Sequence, residues 1–124
     1  MNRIIGLIII LIVCFSCKQY RKPEMSLSSY IHDFGTINSD SIYCDSITLT
    51  NVGDDKLEIG EIETECGCTH ASVDKNELNP KEFCTLRFFF NPKGKGIGPQ
   101  EELIIINANT DSLFYIMQIK AVIQ

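Results

Sequence analysis

From residue 30 onward, the chain is a succession of short runs in which apolar and polar residues alternate. Alternation with a period of two is typical of strands that bury one face, and clusters of Asn, Asp, Gly and Pro between the runs favour turns. The phase changes after Gly60, which predicts a bulge. No amphipathic helix is predicted after residue 17. The predicted strands, about seven, are 30–34, 42–50, 56–65, 71–73, 82–90, 102–107 and 113–122. This spacing predicts an all-β protein with the architecture of a β-sandwich.

The parity of positions within these runs predicts where individual side chains point. Cys84 shares a face with Phe88, so it is expected to point into the core. Cys44 has the parity opposite to the apolar positions of its run and is expected to point outward, which argues against a Cys44–Cys84 disulfide. Phe83 and Phe89 would also point outward. They would form either a surface for a partner or, in the favoured interpretation, an area covered by the N-terminal segment or a crossing loop.

The first 16 residues have the pattern of a signal peptide. Arg3 supplies a positive charge, and the apolar run 4–15 follows it. That run is too short to span a bilayer, which takes about 20 residues, but it suits the apolar part of a signal peptide. The sequence Cys-Phe-Ser-Cys at 14–17 resembles a bacterial lipobox, although such boxes usually carry Leu at the first position. The pattern predicts a lipoprotein signal peptide over 1–16 and lipid attachment to Cys17. Ordinary cleavage and an uncleaved anchor are the alternatives.

The rest of the chain divides into a lipidated tether, residues 17–29, and a folded domain, residues 30–124. The tether is polar and has no periodicity, as expected of a flexible linker. Arg3 is the only charged residue of the signal peptide, and it is lost when the signal peptide is removed. This leaves ten basic against 16 acidic residues and a formal charge of −6. Such an acidic domain is unsuited to nucleic acid, which requires a basic surface. The expected location is the bacterial cell envelope, with the lipid in a membrane and the domain facing the periplasm.

The segment Cys66-Gly67-Cys68, called here the Cys-Gly-Cys turn, is the strongest candidate for chemistry. Residues two apart in a strand share a face at about 6.5–7 Å, and a glycine between them allows the bend that a disulfide needs. Three roles stay open. The pair is structural or idle, which is favoured; or it is redox-active, because a strained small ring is readily reduced; or it binds a soft metal with His70 as a third ligand.

The cysteine count agrees with export. Of six cysteines, the predicted processing removes Cys14 and acylates Cys17. The four that stay are Cys44, Cys66, Cys68 and Cys84. An even number in an exported protein predicts disulfides, but four cysteines allow three full pairings, and the sequence does not choose between them.

The remaining polar residues form no catalytic motif. The chain has two histidines, and neither lies in a nucleophile motif, so no Ser-His-Asp set is predicted. The glycine-rich segment 94–98 lacks the spacing and the strand-to-helix context of a phosphate loop. No catalytic residue is therefore predicted, and no cofactor other than the covalent lipid is favoured.

Several motifs, in this order, together resemble one family. They are His-Asp-Phe-Gly-Thr-Ile at 32–37, Ile-Thr-Leu-Thr-Asn-Val-Gly at 47–53, Leu-Glu-Ile at 57–59 and Cys-Gly-Cys-Thr at 66–69. The family is the bacterial domain-of-unknown-function family 1573, related to the ASH and major-sperm-protein-like immunoglobulin folds. The resemblance covers about residues 30–122. It implies an immunoglobulin-like sandwich in exported, often lipid-anchored proteins, and it implies no established activity. One departure is Lys81, which follows Pro80 where the family usually has Gly in a tight turn.

The resemblance also implies structural roles for residues in these motifs. Phe34 is expected to be buried under the sandwich, while Gly35 ends the first strand and turns the chain. Asn51 and Gly53 are expected to form the turn that leaves the second strand.

Two functions from different classes compete. The favoured one is a non-enzymatic, lipid-anchored envelope module that binds or scaffolds an unidentified envelope protein. The alternative is a thiol-redox or metal-handling lipoprotein that uses Cys66, Cys68 and His70.

Overall fold

The computed structural model describes residues 2–4 and 19–124. Within these residues, no helix is long and apolar enough to cross a membrane. Most of the predicted signal peptide, together with the lipidation site Cys17, lies outside the described residues, so both stay predictions. The strands are β1 Met25–Leu27, β2 Ile31–Ile37, β3 Tyr43–Asn51, β4 Leu57–Thr64, β5 Thr69–Val73, β6 Glu77–Leu78, β7 Phe83–Phe90, β8 Gly98–Ala108 and β9 Phe114–Ile123.

The strands form two sheets that pack face to face. One sheet has the order β1-β3-β7-β5, and the other has the order β2-β9-β8-β4-β6. Neighbouring strands are antiparallel except for β2 and β9, which run parallel. The prediction of an all-β, immunoglobulin-like sandwich is confirmed. Each of the seven predicted runs corresponds to a strand, and β1 and β6 are additional.

The core follows from the alternation within the strands. In β7 every second side chain is buried, from Cys84 to Phe90, and β9 alternates in the same way between Met117 and Ile123. Phe88 in the middle of β7 is fully buried. Cys84 is buried and Cys44 is exposed, as their parity predicts.

The folded domain begins earlier than the sequence indicated. β1 lies inside the predicted tether and pairs with β3, with Met25 opposite Asn51 and Leu27 opposite Leu49. Met25 and Leu27 are 3% and 4% exposed, so the boundary at residue 30 is wrong. Three residues are too few to show a period, and the pairing that makes them a strand is with a segment distant in the sequence.

The backbone before β1 is bound to the turn between β3 and β4. The amide of Val52 donates to the carbonyl of Glu24 at 2.9 Å, and the amide of Asp54 donates to that of Lys22 at 3.0 Å. The Lys22 amide in turn donates to Oδ1 of Asp54 at 2.7 Å. The chain therefore enters the sandwich beside the β3–β4 turn, residues 52–56. We call this end of the sandwich the tether end.

Two irregularities in the strands concern predicted positions. The register between β4 and β8 shifts between Ile59 and Ile62, which confirms the bulge predicted after Gly60. Gly35 has a φ of +71°, but β2 continues through it to Ile37. The expectation that Gly35 ends the strand is wrong, because its left-handed backbone forms a bulge in the pairing with β9 instead.

Candidate functional site

The Cys-Gly-Cys turn connects the two sheets. It follows β4 of the five-stranded sheet and precedes β5 of the four-stranded sheet. Thr64 Oγ1 donates to the carbonyl of Thr69 at 3.0 Å across the turn, and the amide of Thr69 donates to the carbonyl of Cys66 at 3.3 Å. The amide of Asn91, where the loop 91–97 begins, donates to the carbonyl of Cys68 at 2.8 Å. The turn is thus held by both flanking strands and by this loop.

Cys66 and Cys68 are joined by a disulfide, with their Cα atoms 5.2 Å apart. The backbone amide of Cys68 donates to Sγ of Cys66 at 3.1 Å, so the two sulfurs have different environments. Among the described residues, Cys44 and Cys84 are not bonded to another cysteine. The structure therefore selects one pairing that the sequence left open.

A buried carboxylate lies against this disulfide. Glu102 has the same parity in β8 as Ile104 and Ile106, which places its side chain inside the sandwich, where it is only 5% exposed. Its Oε1 lies 3.8 Å from Sγ of Cys68. Sequence reasoning missed Glu102, although its parity with two isoleucines was the signal that could have identified it.

Lys95 forms the ion pair that accompanies this buried carboxylate. Its Nζ contacts Oε1 of Glu102 and lies 5.9 Å from the centre of the Phe90 ring. A buried charge without a partner is strongly unfavourable. The pair therefore ties the loop 91–97 to the interior directly below the disulfide.

His70 is not part of this cluster. The described residues contain one group of three metal-ligating side chains within 4.8 Å of one another, and it consists of Cys66, Cys68 and Glu102. His70 alternates with the buried Thr69 and is exposed on the outer face of β5. Because a cysteine binds a metal ion as the thiolate, the two disulfide-bonded sulfurs are not ligands in this form. The third group beside the sulfurs is Glu102 rather than the predicted His70.

A shallow apolar groove of about 480 Å³ lies on the surface next to the turn, lined by Ile42, Gly67, Cys68, His70, Phe89 and Asn91. Ile42 is 64% exposed and Phe89 is 41% exposed. Phe83 is also exposed, but it lies at the other end of β7. The favoured expectation that Phe83 and Phe89 would be covered is wrong for the described residues, because the segment before β1 binds to the β3–β4 turn instead.

The buried thiol of Cys84 is unreactive near neutral pH. Burial is the main reason that the pKa of its thiol rises to about 11; the nearby Asp74 adds to the increase and Lys75 opposes it. Because the thiolate is the reactive form, Cys84 stays an inert thiol near neutral pH. The reactive sulfur chemistry of the folded domain is confined to the Cys-Gly-Cys turn and the exposed Cys44.

The two packed sheets define an immunoglobulin-like β-sandwich. A protein of unknown function from Porphyromonas gingivalis W83 is similar over 87% of this chain, with a TM-score of 0.75 and 23% identity. This chain spans 50% of that protein. The sequence belongs to the family described as Protein of unknown function (DUF1573), whose profile matches residues 25–123. The resemblance noted from the motifs is thereby confirmed, and the match begins where β1 begins.

Two further solved structures show the breadth of this fold. The ASH/PapD-like domain 7 of human CEP192 is similar with a TM-score of 0.67 and 9% identity, over 88% of this chain and 91% of that domain. WR4, a member of the MSP family of C. elegans, is similar with a TM-score of 0.57 and 10% identity, over 81% of this chain and 97% of that one. At such identities the likeness concerns the fold alone. No curated protein matches the sequence.

Proposed function

We propose that this protein is a lipid-anchored module of the bacterial cell envelope whose main role is to bind or scaffold another envelope protein rather than to act as an enzyme. The single observation that carries this proposal is the position of the tether. The segment that leads to the predicted lipid is bound to one end of the sandwich, and the apolar groove and the Cys-Gly-Cys turn lie at the other end.

The register of β7 shows this separation. Phe83 pairs with Thr50 beside the tether end, while Phe90 pairs with Tyr43 and with Thr69 beside the Cys-Gly-Cys turn. The seven residue steps from Phe83 to Phe90 span about 23 Å at about 3.3 Å per step. We call the end with the Cys-Gly-Cys turn and the loop 91–97 the distal end.

The short tether would keep the tether end close to the membrane. From Cys17 to Lys22 there are five residue steps, which reach at most about 18 Å when fully extended. The backbone amide of Lys22 donates to Oδ1 of Asp54, and its Nζ lies 3.3 Å from Oδ2 of Asp111. A lipid on Cys17 would therefore present the distal end to the periplasm.

The occupant that fits the distal end is an extended polypeptide segment of a partner protein. β5 is the last strand of its sheet, and such an edge has backbone groups that can pair with another strand. Phe89 and His70 lie side by side in the register of β7 and β5 and line the apolar groove. An added strand would find backbone partners along β5 and an apolar contact for its side chains in that groove.

Attachment is tested by replacing the lipidated residue. Cys17→Ser should release the protein from the membrane fraction into the soluble periplasm, because stable anchoring requires the acyl chains. Cys44→Ser, at an exposed position of the domain, is the matched control and should stay with the membrane. Retention of the Cys17→Ser protein in the membrane would show that residues 4–16 are an uncut anchor.

Binding is tested with a photo-crosslinking residue at two aromatic positions of the same strand face. Placed at Phe89, it should form a discrete adduct in living cells. Placed at Phe83, near the tether end, it should not. A peptide made from the crosslinked segment should then slow hydrogen exchange of the β5 amides. Equal adducts from both positions, or no protection of β5, would refute a specific distal surface.

A further inference from the structure

We propose that the Cys-Gly-Cys turn is a thiol–disulfide exchange centre that reacts with a dithiol of another envelope protein. In this centre Cys66 is the exchanging sulfur, Cys68 is the resolving sulfur, and Glu102 holds the proton of Cys68. This inference goes beyond the binding role and is tested independently of it.

The first support is the difference between the two sulfurs. Sγ of Cys66 accepts the Cys68 amide at 3.1 Å, and a donor in this position stabilises negative charge on the sulfur. Sγ of Cys68 instead lies 3.8 Å from Oε1 of Glu102, which can accept a hydrogen bond from a thiol. Lys95 balances the charge of this carboxylate, so the acceptor oxygen rather than a net charge holds the proton on this sulfur. In the dithiol form, Cys66 is therefore the nucleophile and Cys68 stays protonated.

The second support is that a structural disulfide does not require this carboxylate. Glu102 occupies an inward position of β8 that Ile104 and Ile106 fill with apolar side chains. A buried charge is unfavourable unless it is paired, and here Lys95 is the partner. The arrangement keeps a proton acceptor within reach of one sulfur at a position that is only 5% exposed.

The third support is the small size of the ring. The disulfide closes a loop between residues separated by two positions, and so short a loop removes little entropy from the unfolded chain. Stabilisation of the fold is therefore a weak reason for this bond, whereas a bond confined to a small ring is readily opened by a thiol.

The exchange conserves atoms and electrons. A thiolate of the partner attacks Sγ of Cys66, a bond forms between these two sulfurs, and the Cys66–Cys68 bond breaks. Cys68 leaves with the electron pair and takes up, through the solvent, the proton that the partner's attacking thiol has lost. The resulting Cys68 thiol donates a hydrogen bond to Glu102. The second thiolate of the partner then attacks the partner sulfur that is bonded to Cys66. This closes the partner's disulfide and releases Cys66 as a thiolate. The partner dithiol is oxidised by two electrons to a disulfide, and the domain is reduced to a dithiol; the reverse sequence reoxidises the domain.

The test follows the reverse reaction in the full-length protein, with oxidised glutathione as the probe. After reduction, Cys66 should attack glutathione disulfide, and Cys68 should then displace the glutathione and close the ring. Digestion and mass spectrometry locate the adduct, which separates it from adducts on Cys44 or on an unprocessed Cys17. Cys68→Ser should trap glutathione on Cys66, whereas Cys66→Ser should form its adduct more slowly.

Glu102→Gln should slow the ring closure on the order of 10²-fold, the usual range for a lost proton acceptor. Glutathione would then accumulate on Cys66. Glu101→Gln is the matched control, because Glu101 is the exposed neighbour that pairs with Lys120, and it should close the ring at the wild-type rate.

Three results would overturn the proposal: a wild-type disulfide that glutathione does not open, equal trapping on both cysteines, or equal closure rates in the Glu102→Gln and Glu101→Gln proteins. The first two use no change at Glu102, so they decide the matter even where Glu102→Gln fails to fold.

Discussion

Gly53 lies directly against the backbone of Lys22. A Cβ added to Gly53 would overlap the carbonyl oxygen of Lys22 and lie 2.5 Å from the amide nitrogen of Glu24. This close approach is what allows the segment before β1 to bind to the β3–β4 turn. The glycine of the motif at 47–53 therefore serves the attachment of the tether as well as the turn.

Gly53→Ala should destabilise the domain by about 1–3 kcal/mol, the usual range for a group forced into a packed position. The atoms that this Cβ would meet all belong to the backbone, so they cannot move aside by a change of rotamer. Urea denaturation measures the loss. Gly96→Ala is the control, because a Cβ there meets nothing within 4 Å, and it should change stability by less than about 0.5 kcal/mol. Equal effects of both changes would contradict the close packing of Lys22 on Gly53.

Lys81→Gly should stabilise the domain by about 0.5–1 kcal/mol. Lys81 has a φ of +72°, and the left-handed conformation is unfavourable by about 1–2 kcal/mol for a residue with a Cβ. Glycine removes this strain, but its greater conformational freedom in the unfolded chain offsets part of the gain in stability. The tight turn expected after Pro80 is thus present despite the lysine. Lys81→Ala keeps the Cβ and should give no such gain in the thermal midpoint. A gain from alanine equal to that from glycine would assign the effect to the lysine side chain.

Phe34→Ala should destabilise the domain by about 2 kcal/mol, less than the 3–5 kcal/mol typical of a fully buried phenylalanine. Phe34 is only partly buried, where full burial was expected from its motif. It packs against two clusters of buried residues, one that contains Phe88 and one that contains Phe90, and its ring lies 4.5 Å from that of His32. Phe88→Ala, at a position with no exposed area, should reach the full range. Equal free energies of unfolding for the two variants would show that Phe34 is a core residue after all.

Between pH 9 and pH 11 the thiol of Cys84 should make the fold less stable as the pH rises. Its pKa is about 11 in the folded protein, against an ordinary value of about 9. In this window the unfolded chain has already lost the proton that the folded chain retains, so stability falls with increasing pH. Cys84→Val, which cannot ionise, should show a smaller decrease in thermal midpoint over the same range. Parallel curves for the two proteins would contradict this assignment.

Much of the fold was predictable from local pattern. The seven runs found by their period-two alternation are all strands, since burying one face of a sheet requires that alternation wherever a strand has a solvated side. The bulge after Gly60 and the opposite faces of Cys44 and Cys84 follow from the same parity. β1 and β6 were not found, because two or three residues show no period and become strands only through their partners.

The Cys-Gly-Cys turn was recognisable from its spacing, but its environment was not. His70 is close to the turn in sequence, yet strand parity places it on the outer face of β5. Glu102 is far from the turn in sequence, and only the stacking of the two sheets brings its carboxylate to Cys68. Likewise, the separation of the tether from the distal end depends on the order of strands in the sheet. The sequence determined the seven longer strands, the Cys-Gly-Cys motif and the family, because these depend on local spacing. The tertiary structure decided which charged group faces the disulfide and which end of the domain is tethered, because both depend on contacts between residues far apart in the chain.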